Sequence, residues 1–65
     1  MTDYRTLKEI FERGGCETST HDLPEFKHKN VAKPARTMLV LWSKAGEHLA
    51  ALYFNRHEEL IEVRQ

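Results

Sequence analysis

The fold turns on the stretch Thr37-Met38-Leu39-Val40-Leu41-Trp42-Ser43-Lys44-Ala45-Gly46-Glu47. Within it, the unbroken apolar run from Met38 to Trp42, rich in branched and aromatic side chains, predicts a strand covered on both faces. Ser43 halts the run and is a good helix N-cap, because a serine hydroxyl accepts a bond from an otherwise orphaned N–H of a first turn. Beyond it the apolar positions fall at helical spacing, with Ala45, Leu49, Leu52, Tyr53, Leu60 and Val63 on one face and Ala50, Phe54 and Ile61 beside it. The expectation is a strand over residues 37–42 feeding a long C-terminal helix.

That helix would carry an apolar arc of roughly 200°, whereas a surface helix of a monomer needs little more than ~100°. The surplus predicts a second packing partner. A homodimer with Ala50, Phe54, His57 and Ile61 in its interface would supply one. Arg56, beside the same arc, reads as an aliphatic stem lying on the core with its charged head in water.

Upstream, Tyr4, Leu7, Ile10 and Phe11 recur at spacings of three and four, which gives residues 3–13 an amphipathic stripe. Thr2 or Asp3 can cap its start, and Gly14-Gly15 can end it. Residues 16–20, Cys-Glu-Thr-Ser-Thr, predict a small strand that pairs with residues 37–42, which otherwise lack a partner. Asp22-Leu23-Pro24-Glu25 has the composition of a helix start, and Leu23, Phe26 and Val31 give it a short apolar face. Pro34 requires that helix to stop by Lys33. The expected fold class is α+β: a small single domain over residues 1–65 with an N-terminal helix, a short basic middle helix, a small sheet (residues 16–20 and 37–42) and a long C-terminal helix. The alternative is all-α, because Ala35, Met38, Trp42, Ala45 and Leu49 also share a helical spacing and one helix could begin after Pro34.

At 65 residues the chain is of single-domain size and its core is marginal. Cys16 is its only cysteine, which excludes an intrachain disulfide and suits a reducing compartment. The apolar runs are too short to span a bilayer, and the acidic start Met1-Thr2-Asp3-Tyr4 is unlike the basic start of a signal peptide. The expected location is cytoplasmic, with no membrane partner.

Ten basic and ten acidic residues cancel, so no global field draws the chain to nucleic acid. Locally, Lys27, Lys29, Lys33, Arg36 and Lys44 follow one another with no Asp or Glu among them. This basic strip is the candidate binding site, either for the phosphates of duplex DNA or for an acidic face of a protein.

Catalytic chemistry is thin. Cys16, His21 and His28 follow Cys-x4-His-x6-His, which is none of the usual zinc spacings and lacks a fourth ligand. Taken as a nucleophile and base, the same residues have no third group to orient them. Glu58 and Glu59 would diverge by about 100° on a helix and could not work as a paired acid and base. No Gly-rich phosphate loop or repeat occurs. The expectation is a protein that is not an enzyme, with no catalytic residue, no metal, no cofactor and no small-molecule substrate.

Trp42-Ser43-Lys44-Ala45-Gly46 through Leu49, and on to His57-Glu58-Glu59-Leu60-Ile61, resembles the end of winged-helix transcription regulators of the multiple-antibiotic-resistance type. In that family the last wing strand runs into a Thr-x-x-Gly helix start and a long dimerisation helix. Ser43 would match the capping Thr, Gly46 the close-packed Gly, and Leu49, Leu52 and Tyr53 the apolar face. The resemblance implies an abridged winged-helix-like fold and a dimer. The stretch between Gly15 and Thr37 departs from the family, being too short for a full recognition helix, on which major-groove reading depends.

Two functions follow. One is a small non-catalytic regulatory protein acting by protein–protein interaction, such as a phage or mobile-element inhibitor of a host enzyme. The alternative is a dimeric winged-helix-like DNA-binding transcription regulator that sets its basic strip on phosphates.

Overall fold

A computed structural model of the chain describes residues 1–23 and 35–65. The elements run α1 (Asp3–Arg13), β1 (Glu17–Asp22), β2 (Thr37–Trp42), β3 (His48–Phe54) and β4 (Leu60–Arg64). The strands form one antiparallel sheet in the order β1-β2-β3-β4, a meander in which each strand pairs with the next. Among the described residues, β1 and β4 are its two edges.

Helix α1 forms where its stripe and caps predict. Thr2, extended at φ −95°, ψ 162°, accepts from the Arg5 N–H, while Asp3 in the first turn and Arg13 in the last complement the helix dipole. Its end is a left-handed cap. Gly15, at φ 92°, donates to the Glu12 carbonyl, and the Cys16 N–H donates to the Phe11 carbonyl.

The sheet has apolar residues on both faces. Leu39, Leu41, Leu52 and Phe54 pack beneath Tyr4, Leu7 and Phe11 of α1, and the ring of Tyr4 meets that of Phe54 edge to face at 5.4 Å. On the other face Leu23, Ala35, Ala51 and Tyr53 form a second cluster, joined by Met38 and Ile61, and Val40 is buried as well. Consecutive residues of β2 and β3 are therefore both buried, one to each side, and their apolar runs do not alternate with polar residues.

The long C-terminal helix does not form. Residues after Ser43 make β3 and β4, so neither the winged-helix-like nor the all-α arrangement holds, and the two-stranded sheet expected is four-stranded. The physical reason is a turn. Ser43 does accept a bond from a following backbone N–H, that of Glu47 at 3.0 Å, but the Ser43 N–H also donates to the Glu47 carbonyl at 2.8 Å and closes a hairpin. Gly46 donates to the Ser43 carbonyl and sits at φ 86°, the left-handed residue that follows a tight turn and lets β3 return along β2.

The small strand expected at 16–20 is β1, displaced to Glu17–Asp22, and the strand over 37–42 is β2 as expected. Asp22, expected to cap a middle helix, closes β1 instead, and Leu23 follows it outside any helix, buried and donating its N–H to the Arg36 carbonyl; the rest of the expected helix, from residue 24 on, lies outside the described residues. Among the described residues no helix is long and apolar enough to cross a membrane.

Candidate interaction surface

The turn between β3 and β4 fixes where α1 sits. Asn55 donates its N–H to the Glu59 carbonyl, and its side-chain oxygen accepts from the N–H groups of His57 and Glu59, so the turn is held from within. Glu58 occupies the left-handed position that Gly46 fills in the other hairpin, at φ 62°. Its carbonyl accepts from the Tyr4 N–H at 3.0 Å, and its carboxylate from the Thr2 hydroxyl at 2.8 Å. The Asp3 carboxylate accepts from the Leu60 N–H at 3.0 Å. Three bonds therefore tie the first turn of α1 to the start of β4.

These bonds orient the whole helix. Tyr4 reaches Thr20 and Glu12 reaches Thr18, so one side of α1 faces β1, while Asp3 marks the side that faces β4. Ile10 lies two helical turns beyond Asp3, about 10 Å along the axis and on the same side. Val63 lies about 10 Å beyond Leu60 along a strand that runs in the same direction as the helix. Ile10 thus lies on the flank of α1 turned away from β1, and Leu60 and Val63 lie on the face of β4 that α1 also covers.

All three are apolar and open to water. α1 leans over β1 and β2, which leaves Ile10 55 %, Val63 52 % and Leu60 38 % exposed. Met1 and Leu49 are the other large apolar side chains exposed among the described residues. Glu62 and Arg64 of β4 lie on the opposite face of the sheet, where they form an ion pair and the Arg64 guanidinium stands 5.7 Å from the centre of the Tyr53 ring.

The basic strip is not brought together by the described part of the chain. Lys27, Lys29 and Lys33 lie outside the described residues, and Arg36 and Lys44 lie beyond opposite ends of the six-residue strand β2. Arg36 does meet Asn55, Arg56 and His57 around a cleft of about 310 Å³ at one end of the sheet. A second, larger hollow of about 580 Å³ follows the β1 side of α1, but its lining of Arg5, Lys8, Glu9, Glu12 and Arg13 mixes both signs of charge and selects no ligand.

The residues assigned to a helical dimer face scatter. Phe54 is 0 % exposed in the chain's own core, and Ala50 packs at the margin of the same cluster. Ile61 packs on the other side of the sheet, and His57 is exposed in the β3–β4 turn. They shared a face only at 100° per residue, and the backbone there advances as a strand. The residues that reading the sequence missed are Ile10, Leu60 and Val63. Their signal was available for Ile10, which lies at the margin of the α1 stripe, but not for the other two without the hairpin.

Among the described residues no three His, Cys, Asp or Glu side chains stand close enough to hold a metal ion. Comparison with protein-family models, with curated proteins and with solved structures finds no match.

Proposed function

We propose that this chain is a small, non-catalytic, cytoplasmic regulatory protein that acts by binding another protein, in the manner of the inhibitors that phages and mobile elements direct at host enzymes. The observation that carries the reading is the exposure of Leu60 and Val63 on an edge strand that no other described strand pairs, with Ile10 exposed on the neighbouring helix. Apolar side chains grouped at an unpaired edge favour contact with a protein, because docking removes them from water while main-chain groups gain strand partners. The test is affinity capture of proteins by the full chain. Capture should be lost with Val63→Lys and kept with Ala45→Lys, a change of the same kind on the exposed β2–β3 turn; equal capture by the two variants would refute the reading.

One observation favours a second reading, in which the chain binds duplex DNA. Arg36, Arg56 and His57 line one cleft, which in this reading is where a phosphate is held. A phosphate contact releases a condensed cation, so Arg56→Ala should lower the logarithmic salt slope of binding by about 1. Absence of binding to random duplex at ~50 mM salt removes this reading.

A further inference from the structure

We infer that the protein bound at this flank is a second copy of the chain, added antiparallel to β4 with Val63 on the twofold axis; the inference rests on the reading of the flank as a protein-contact surface.

The main chain supplies the first argument. The Arg36 N–H donates to the Phe54 carbonyl at 2.8 Å, which directs the main-chain groups of Phe54 at β2. Residues of an antiparallel strand address their two neighbours alternately, so Leu52 also faces β2. Leu52 lies opposite Val63. Val63 therefore bonds to nothing in β3 and presents its N–H and C=O to the open side. At the other end of the strand the outward N–H of Leu60 is already taken by Asp3, so an added strand must pair further along.

Charge then selects the register. With Val63 opposite Val63 of the second copy, Glu62 of each copy lies opposite Arg64 of the other, on the same sheet face. The ion pair that Glu62 and Arg64 form within one chain becomes part of a ring of four alternating charges. Sliding by two residues either way, the smallest step that keeps the outward main-chain groups paired, sets Glu62 against Glu62 or Arg64 against Arg64, and like charges directly opposite are destabilising.

An apolar contact completes the fit. Val63 side chains of both copies meet at the axis on the α1 face, which covers an apolar side chain that is 52 % exposed in the single chain. A five-residue edge and these side chains make a small interface, so association is weak and concentration-dependent.

Sedimentation equilibrium of the full chain tests it. The mass should rise with concentration from the 7.6 kDa of one chain towards twice that value. E62R and R64E should each stay at 7.6 kDa alone, and an equimolar mixture of the two should associate, because each then supplies the charges the other needs. Val63→Lys, with both charges in place, should also stay monomeric; it serves if a charge variant loses the wild-type circular dichroism spectrum. A wild-type chain that remains at 7.6 kDa up to about 1 mM overturns the inference, as does a mixture that stays monomeric or a pair of charge variants that associate like wild type. Failure here with Val63-dependent capture of a different protein would leave the contact-surface reading standing, and failure of both would end it.

Discussion

Thr2 and Glu58, 56 positions apart in the chain, share one hydroxyl: Thr2 donates to the Glu58 carboxylate at 2.8 Å while its oxygen accepts from the Arg5 N–H at 3.3 Å. A helix cap and a hairpin turn are thereby coupled through a single side chain, so weakening one weakens the other.

Thr2→Ala should lower stability by about 1 to 2 kcal/mol, since it removes a cap and leaves Glu58 without this donor. Thr2→Ser should keep most of it, because the hydroxyl remains. Urea denaturation midpoints read the difference, and equal midpoints for the two variants would contradict the shared-hydroxyl account.

Glu58 pays for its φ of 62° with left-handed strain, a cost of order 1 kcal/mol that glycine avoids. Glu58→Gly relieves the strain and loses the Thr2 bond, so in the wild type the two effects should nearly cancel. In the Thr2→Ala background the bond is already gone, and the same change should stabilise by about 1 kcal/mol. A double-mutant cycle with no coupling between the two sites would rule this out.

Phe54 and Val63 are both apolar strand residues, but only the first is sealed in the core. Phe54→Ala should cost about 3 to 5 kcal/mol, enough to unfold a domain of this size, whereas Val63→Ala should change stability by less than about 0.5 kcal/mol. Amide dispersion in a two-dimensional spectrum distinguishes them. A folded Phe54→Ala chain would place the core elsewhere.

At Gly46 an added Cβ would meet nothing within 4 Å, so any cost of Gly46→Ala comes from the backbone at φ 86° alone. The expected loss is about 1 kcal/mol, with Gly46→Asn milder because asparagine tolerates the left-handed region. Thermal melts of the two variants check the order.

Helix α1 was legible because its stripe, its threonine cap and its paired glycines agree at every level, and β2 because five apolar residues in a row leave little else to be. β3 was not. A strand buried on both faces has no alternation to betray it, and Leu49, Leu52 and Tyr53 happen also to fit a helix. The overlooked signal was Ser43-Lys44-Ala45-Gly46 standing between two apolar runs of similar length, which is a hairpin pattern. Ser43 misled because one side-chain bond to a following N–H serves a helix start and a turn equally. The candidate surface was correspondingly out of reach: Leu60 and Val63 share an edge-strand face only once β4 exists.

The two borders of the sheet are unlike, and that limits how large an assembly can grow. β1 exposes Glu17 and Asp22 at its ends and no large apolar side chain. The strand Glu-Thr-Ser-Thr-His-Asp is polar throughout, so that border offers no apolar group for another strand to cover. On the proposed pairing, joining at β4 would use up the apolar border of both molecules at once. A dimer so formed would be an eight-stranded sheet with a polar rim on each side, which favours stopping at two chains over growth into a fibre.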